Sequence, residues 1–209
     1  MGIVNILGGF LGLYNECSVC VARLKKPDDT YILHHKGVGR THDLNRGVQF
    51  MYEKDYEWVW MADDSCVYPS NILLKLLERD VDIVVPFSMS AEFPHLPELY
   101  EQDCSLIDKY WLCEQEGLVE TEYLATYRGM LVRKNVFDAM SDPWFVNGAL
   151  MPDRLGGDIW FCREALKAGF KIHVDFDNTI GRIAHFSMWA GKEDGKYTVS
   201  LLSPMPWEE

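Results

Sequence analysis

One stretch decides the fold: Trp58-Val-Trp-Met-Ala-Asp63-Asp64-Ser65-Cys-Val-Tyr-Pro69, in which an apolar run stops at two adjacent carboxylates. Because Asp is depleted from strands, the run predicts a buried strand that ends at Asp63. Open α/β sheets bind ligands at the carboxyl ends of their strands, and carboxylate oxygens there suit Mg²⁺ or Mn²⁺ bridging to phosphate. An Asp-Asp-Ser turn that only leads into a helix explains the same residues, so both interpretations stay open here.

The residues after the two acids predict a βαβ unit. Pro69 favours an extended Tyr68, and Ser70 or Asn71 can cap the helix that follows. The apolar face of that helix is supplied by leucines at helical spacing: Leu73, Leu74, Leu76 and Leu77. The apolar run 81–86 then predicts another buried strand, which places the acids where a strand changes to a loop.

The rest of the chain also alternates between helices and strands. Hydrophobic spacing predicts helices over 14–24, 41–54, 134–140 and 156–169, and strands over 30–34, 123–132 and 170–175. Thr41 or Asp43 can cap the second helix. Residues 88–120 lose periodicity, and their aromatic side chains suit either stacking on sugar rings or ordinary packing. The predicted fold class is α/β, a single Rossmann-like domain with a mostly parallel central sheet flanked by helices.

Composition limits the partners. A chain of 209 residues with 48% hydrophobic content suits one domain over 1–209. The formal net charge of −12 argues against nucleic acid, and it means that a bound diphosphate needs a cation beside it. No apolar run approaches the roughly 20 residues of a membrane span, and no signal peptide is recognisable. We therefore expect a cytoplasmic protein without a membrane span, while the sequence leaves the oligomeric state open.

The cysteines favour a reduced, buried state. The chain has six: Cys17, Cys20, Cys66, Cys104, Cys113 and Cys162. The C-x-x-C spacing of Cys17 and Cys20 occurs in redox and zinc motifs, but no second Cys or His pair follows at zinc-finger spacing. Two cysteines on one helix face are the preferred interpretation.

A second constellation lies around Asp158. Gly156 and Gly157 precede it and Gly169 follows the predicted helix, so Asp158 is expected to be a helix N-cap. The same carboxylate, projecting from a glycine-loosened helix start, can act as a general base on a hydroxyl. Further on, His185 follows a short apolar segment. A lone His is more often structural, but next to an acid pair it suits a Mn²⁺ ligand.

These motifs, in this order, resemble the glycosyltransferases of the GT-A fold, especially small family-2-like enzymes of bacterial and phage type. The resemblance spans roughly residues 44–185. Asp63-Asp64-Ser65 with Pro69 resembles the Asp-x-Asp metal motif, and Gly157-Asp158 resembles the Glu-Asp motif. On the acceptor side the matching segments are Tyr127-Arg-Gly129-Met-Leu-Val-Arg133 and Asp142-Pro-Trp144-Phe145, and His185 follows them.

The resemblance implies a metal-dependent hexosyltransferase that passes a sugar from a nucleotide-sugar donor, expected to be a UDP-sugar, to a hydroxyl of a carbohydrate or other acceptor with inversion. The roles it implies are Asp64 and His185 as ligands of Mn²⁺ or Mg²⁺, Asp63 facing ribose or sugar hydroxyls, Asp158 as the catalytic base, and Gly129, Gly157 and Trp144 on the substrate side. Arg40 or Arg46 can contact phosphate, and the alternative for both arginines is that they are exposed to solvent. Residues 1–87 would bind nucleotide, 88–190 would face the acceptor, and 191–209 form a tail.

Three departures from the family pattern keep two other functions open. Ser65 stands where Asp is usual, Gly157 where Glu is usual, and His34-His35 where an acid often recognises the base. A non-catalytic nucleotide- or carbohydrate-binding module accounts for these departures as lost activity. A nucleotidyltransferase uses the same acid–metal–phosphate chemistry, but Gly8-Gly9 lacks the basic residues of its usual amino-terminal signature.

Overall fold

The computed structural model describes residues 1–8, 15–35, 39–91, 96–101, 112, 114–146, 156–183, 187–193 and 196–202. Its strands are β1 Gly2–Leu7, β2 Thr30–His34, β3 Trp58–Asp63, β4 Cys66–Val67, β5 Ile83–Phe87, β6 Leu99–Tyr100, β7 Leu118–Thr121, β8 Leu124–Ala125, β9 Leu131–Arg133, β10 Ile172–Thr179, β11 Gly181–Arg182, β12 Ser187–Glu193 and β13 Lys196–Leu202. Its helices are α1 Asn15–Ala22, α2 Arg40–Glu53, α3 Ile72–Glu78, α4 Lys134–Asp138 and α5 Gly157–Lys167.

Within these ranges, seven strands form one sheet in the order β2-β1-β3-β9-β5-β10-β7. β1 runs parallel to β2 and β3, and β5 runs parallel to β10. β9 lies antiparallel between β3 and β5, and β7 lies antiparallel at the edge. The carboxyl ends of β1, β2, β3, β5 and β10 therefore share one edge of the sheet. The predicted α/β fold with a mostly parallel sheet is confirmed.

Alternate residues of the central strands bury into two separate cores, because successive side chains of a strand point to opposite faces. One core combines Ile3, Leu7, Val59 and Met61 with side chains of α2, α4 and α5. The other combines Val4, Ile6, Trp58 and Trp60 with side chains of α1 and α3. Helices thus cover both faces, which explains why β1 and β3 are buried along their whole length and are mostly apolar rather than alternating, with Asn5 as a buried polar residue inside β1.

One predicted strand is wrong. The expected strand over 123–132 is split into β8 and β9 by a turn that carries Gly129 at a φ of +76°. A Cβ at Gly129 would lie 2.6 Å from Cγ of Pro86, so this left-handed, crowded position requires glycine. The turn lets β9 enter the sheet antiparallel to β3, and it places Tyr127 and Arg128 at the carboxyl edge of the parallel strands.

Of the predicted helix caps, Asn71 does occupy the N-cap position of α3, whereas Gly39, rather than Thr41 or Asp43, occupies that of α2. Gly39 precedes α2 and Asn71 precedes α3, and neither helix start has a side-chain cap hydrogen bond. The Asp43 carboxylate instead lies beside His35 and His42, 3.6 and 3.2 Å from their Nδ1 atoms. Buried side-chain contacts thus replace the local capping bond that the sequence favours.

Four of the cysteines are described, and all four are free and buried: Cys17, Cys20, Cys66 and Cys162. Cys17 and Cys20 lie in α1 with their thiols in the core, which agrees with the helix-face interpretation. Cys104 and Cys113 lie outside the described residues, as do most aromatics of the irregular segment. Among the helices that the structure describes, none is long and apolar enough to cross a membrane.

Candidate functional site

The candidate site lies at the carboxyl edge of the parallel strands. Asp63 ends β3 opposite Leu7, the last residue of β1. Arg40 begins α2, and Arg182 of β11 pairs with Cys66 of β4 just beyond the two acids. The turn before β9 brings Tyr127 to the same edge, since Gly129 N–H donates to the Met61 carbonyl at 2.7 Å. Segments far apart in the chain therefore meet around Asp63.

Asp63 is fully buried and is held by three hydrogen-bond donors. The Tyr127 hydroxyl donates to Oδ2, and both the backbone N–H (2.9 Å) and the hydroxyl of Ser65 donate to Oδ1. A carboxylate offers about four lone-pair sites, so protein groups occupy most of them. The predicted contact with ribose or sugar hydroxyls therefore has about one acceptor position left, and it stays a prediction.

Arginines surround this buried carboxylate. Arg40 Nη2 lies 3.8 Å from Asp63 Oδ2, and Arg182 Nη1 lies 3.7 Å from Oδ1. Burial by itself raises the pKa of Asp63, but the Arg128 charge, the two hydroxyl donors and Arg40 together lower that pKa below its ordinary value. Asp63 is therefore a carboxylate that stays ionised in the interior.

Glu98 anchors two of these arginines from the other side. Its carboxylate accepts hydrogen bonds from the Ser88 hydroxyl at 2.9 Å and from Arg128 Nη1 at 3.2 Å. Arg182 Nε lies 3.4 Å from Glu98 Oε1. Since Glu98 is itself buried, the two guanidinium groups are fixed between Glu98 and Asp63 rather than exposed to solvent.

Asp64 is the carboxylate that suits a divalent ion. It is only 3% exposed, and its N–H donates to the Leu7 carbonyl at 3.1 Å, which fixes it at the strand edge. Among the described residues, no group of three or more His, Cys, Asp or Glu side chains is arranged to hold a metal. His185, the other predicted ligand, lies outside the described residues. Mg²⁺-like ions are typically held by one or two carboxylates plus substrate phosphates, so a complete protein cage is not required, and the metal-ligand role of Asp64 stays a prediction.

Asp158 lies at the start of α5, but it is not the N-cap that the sequence predicts. Gly156 occupies the N-cap position, and Asp158 is the second helical residue, with Oδ1 accepting the Ile159 N–H at 3.0 Å. Burial raises the pKa of Asp158, although the Arg128 charge and the backbone N–H groups of Ile159, Asp158 and Tyr127 oppose that rise. A carboxylate with a raised pKa is a stronger base than an exposed Asp.

Close packing favours glycine at position 157. A Cβ there would lie 3.1 Å from Thr41 Oγ1 and 3.4 Å from the Val146 carbonyl oxygen. The start of α5 thus packs closely against the first turn of α2, which leaves little room for a side chain at this position. Gly157 lies next to the site, while Gly129 is buried in its turn against Pro86.

Two predicted site residues are not brought to this cluster. Arg46 pairs with Glu53 at 2.6 Å on the surface of α2, which matches the solvent-exposed alternative. Trp144 is buried, donates its indole N–H to the Phe137 carbonyl at 3.1 Å, and stacks on Tyr52. Tyr52 lies 12 residues beyond Arg40 on α2, about 18 Å along the helix. Trp144 therefore packs at the opposite end of α2 from the acid cluster.

A second buried polar group lies beside the site, at the carboxyl ends of β1 and β2. His35 Nε2 and Asn5 Oδ1 are 2.7 Å apart, and Asn5 Nδ2 donates to the Asp43 carbonyl at 3.2 Å. Burial lowers the pKa of His35 although the Asp43 carboxylate opposes this. The His34-His35 pair noted in the sequence thus places one imidazole in the interior.

Sequence reasoning did not assign site roles to Tyr127, Arg128, Arg182 or Glu98. Arg128 and Arg182 stand inside motifs that the sequence singles out, and their charge in otherwise apolar segments is a usable signal. Glu98 stands in the irregular segment, where no periodicity marks it. Its role depends on contacts with residues 10 and 30 positions away, which only the folded chain brings together.

Comparison with known proteins supports the fold class. No protein-family model and no curated protein sequence matches this chain. Among solved structures, A197 from STIV superposes with a TM-score of 0.59 at 11% identity, covering 88% of this chain and 95% of that one. TarS 1-349 and a longer TarS chain from S. aureus superpose with TM-scores of 0.50 at 11% and 10% identity, covering 87% and 88% of this chain. This chain spans 60% and 36% of those TarS chains.

At these identities the similarities show the fold alone, an α/β fold with a central, mostly parallel sheet.

Proposed function

We propose that this protein is a glycosyltransferase that moves a sugar from a nucleotide-sugar donor, with UDP-sugars as the first candidates, to an acceptor hydroxyl. The observation that carries the proposal is the turn at Tyr127 and Arg128, which contacts the acid cluster at Asp63 and also faces Asp158. Both carboxylate centres that the chemistry needs therefore meet at one edge of the sheet. The likeness to TarS, a glycosyltransferase, supports the same class.

On the acceptor side, Asp158 is the proposed general base. Its raised pKa favours taking a proton from a hydroxyl as the oxygen attacks the anomeric carbon. The oxygen forms the new glycosidic bond, the bond to the nucleotide diphosphate breaks, and the electron pair leaves with the diphosphate. Attack in line with the leaving group inverts the anomeric centre.

On the donor side, the local charges favour a cation. The described part of the site contains three guanidinium groups, on Arg40, Arg128 and Arg182, and four carboxyl groups, on Asp63, Asp64, Glu98 and Asp158. The guanidinium groups supply no excess of positive charge, so a bound diphosphate adds negative charge that they do not offset. Mn²⁺ or Mg²⁺ held by Asp64 and His185 would neutralise the charge on the departing diphosphate. Arg40, about half exposed, is placed to add a phosphate contact.

Thermal shift and calorimetry with UDP test the donor side. A ligand at 100 times its Kd stabilises the native state by about 2.7 kcal/mol, so UDP with Mn²⁺ should raise the melting temperature clearly. We expect excess EDTA to abolish UDP binding, and Asp64→Asn to weaken it while the exposed Asp80→Asn control binds normally. Undiminished UDP affinity in EDTA would remove the metal from the proposal.

A non-catalytic binding module is the second candidate. The close packing of Gly157 against Thr41 leaves Asp158 without the second carboxylate that the family motif normally supplies. A module of this kind would bind UDP or a sugar without breaking the glycosidic bond. Turnover of UDP-sugars therefore separates the two candidates.

A further inference from the structure

Arg182 is fixed beside the acid pair by its backbone. It lies on β11, which pairs antiparallel with β4, and its pairing partner there is Cys66. The N–H of the next residue, Ile183, donates to the Ser65 carbonyl at 2.8 Å. Ser65 is the third residue of the motif that begins at Asp63, and Arg182 follows it by 117 positions in the chain. A distant segment therefore holds the edge of this motif.

The Arg182 guanidinium is held by side chains of the same motif. Its Nη1 donates to the Ser65 hydroxyl oxygen at 2.6 Å and to Cys66 Sγ at 3.2 Å. The Ser65 hydroxyl donates its own proton to Asp63 Oδ1, and Arg182 Nη1 lies 3.7 Å from that oxygen. Ser65 thus connects the arginine to the buried acid. Because these contacts already order the side chain, binding an anion would cost it little further conformational entropy.

Arg182 retains donors that its protein contacts do not use. A guanidinium has five N–H groups, and within the described ranges only those on Nη1 form hydrogen bonds. Nε is buried and has no hydrogen-bond partner in those ranges, although Glu98 Oε1 lies 3.4 Å away. The side chain remains 14% exposed, so part of it is accessible to a ligand.

A second guanidinium beside it is in the same condition. Arg128 Nη1 donates at 3.2 Å to Glu98 Oε1, the oxygen that Arg182 Nε also approaches. Arg128 Nε is buried without a hydrogen bond in the described part of the chain. Buried donors without partners are exceptional in native proteins and call for an explanation. Two cations that share one carboxylate oxygen also attract an anion.

We propose that Arg182 binds the diphosphate of the nucleotide-sugar donor, and that Ser65 occupies the third position of the acid motif to hold Arg182 for this contact. The inference rests on the proposed function, because the diphosphate is the leaving group of that reaction. A planar guanidinium suits phosphate oxygens, to which it can donate two parallel hydrogen bonds. When the bond from the anomeric carbon to the diphosphate oxygen breaks, its electron pair stays on that oxygen, and Arg182 stabilises the charge that develops.

Calorimetry with UDP, inorganic pyrophosphate and uridine, each in the presence of Mg²⁺, tests this contact without turnover. Hydrogen bonds to charged groups are stronger than neutral ones, so Arg182→Gln should weaken UDP and pyrophosphate binding by about tenfold or more. Uridine, which has no phosphate, should bind the variant and the wild type alike. Arg182→Lys should retain part of the affinity, because it keeps the charge but loses the planar fork. Arg133→Gln removes an arginine that pairs with Asp80, and this control should bind all three ligands normally.

A change at Ser65 separates the two roles that this position could have. Ser65→Asp restores the acid of the family motif, and a metal-ligating role would then make UDP bind more tightly. We expect weaker UDP binding instead, because the new carboxylate would pair with Arg182, whose Nη1 is 2.6 Å from the present hydroxyl oxygen. This variant decides between the roles even if Arg182→Gln folds poorly.

UDP and pyrophosphate affinities that Arg182→Gln leaves unchanged would overturn the inference, as would a UDP affinity that rises in Ser65→Asp. A wild-type protein that binds neither UDP nor pyrophosphate would overturn it as well. Equal losses of uridine and UDP binding in Arg182→Gln, with a lower melting temperature, would show that Arg182 only supports the fold. If Arg182→Gln weakens diphosphate binding as expected but the wild-type protein transfers no sugar from UDP-sugars, the proposed function fails and the diphosphate site stands.

Discussion

At the scale of single residues, Asp63 illustrates both the reach and the limit of the sequence. An apolar run that stops at Asp63 predicts its place at a strand's carboxyl end, and β3 ends there. The residues that occupy its carboxylate are far away in the chain: Tyr127 is 64 positions later. Local pattern indicates where a strand ends, but the donors that fill a buried acid depend on tertiary contacts. The expected contact of Asp63 with a ligand stays a prediction, with most of its acceptor positions taken by Tyr127 and Ser65.

Asp158 carries the residue-scale prediction. Asp158→Asn removes the proton acceptor but keeps the shape of the side chain, so we expect turnover to fall by a factor on the order of 10² or more while UDP affinity stays unchanged. The measurement is kcat with a UDP-sugar beside UDP calorimetry. Glu164→Gln, which alters a surface carboxylate of the same helix, should retain wild-type turnover. Near-normal turnover in Asp158→Asn combined with a lower melting temperature would show that Asp158 only stabilises the helix start.

At the scale of elements, periodicity located most of the helices and strands but not the turn within 123–132. The apolar residues there satisfy a strand pattern, and Gly129 alone interrupts it. The need for that glycine arises from Pro86 on the neighbouring β5, which no local pattern contains. The same turn carries Tyr127 and Arg128, so two of the four residues that the sequence did not assign to the site lie where its strand prediction failed.

Two glycines at the same backbone angle provide a test of this turn. Gly129 and Gly117 both have a φ of +76°, but a Cβ at Gly117 would meet nothing within 4 Å, whereas one at Gly129 would meet Pro86. Gly117→Ala should cost about 1–2 kcal/mol of unfolding free energy from the left-handed backbone alone. Gly129→Ala should cost about 1–3 kcal/mol more because of overpacking. Equal losses in urea unfolding would contradict the crowded turn.

Burial of His35 between β1 and α2 predicts a pH effect on stability. Burial lowers the His35 pKa in the folded protein, whereas the unfolded chain titrates near 6.5. The unfolded state therefore binds the proton first, so this contribution to stability is present above about pH 6.5 and is lost as the pH falls below it. Urea unfolding between pH 7.5 and 5.5 should show a smaller loss for His35→Gln than for the wild type. A variant that loses as much stability as the wild type over this range would exclude the His35 contribution.

At the scale of the whole molecule, the sequence predicts the fold better than it predicts the charge of the site. The alternation of helices and buried strands predicts the α/β class, and structures that share only 10–11% of their residues with this chain have the same arrangement. The acidic chain nevertheless concentrates arginines around Asp63, which a net charge of −12 does not reveal. Average composition therefore does not predict the local charge of a buried site.

Release of UDP from UDP-sugars in the presence of Mn²⁺ tests the central claim most directly. We expect the wild-type protein to release UDP at a steady rate that rises when acceptor hydroxyls are added, because the proposed site joins the acid cluster at Asp63 to the proposed base at Asp158. Asp64→Asn should abolish the release, while Asp80→Asn should not. A protein that is stabilised by UDP and Mn²⁺ but releases no UDP from any UDP-sugar, with or without acceptor, would contradict the claim and identify a binding module.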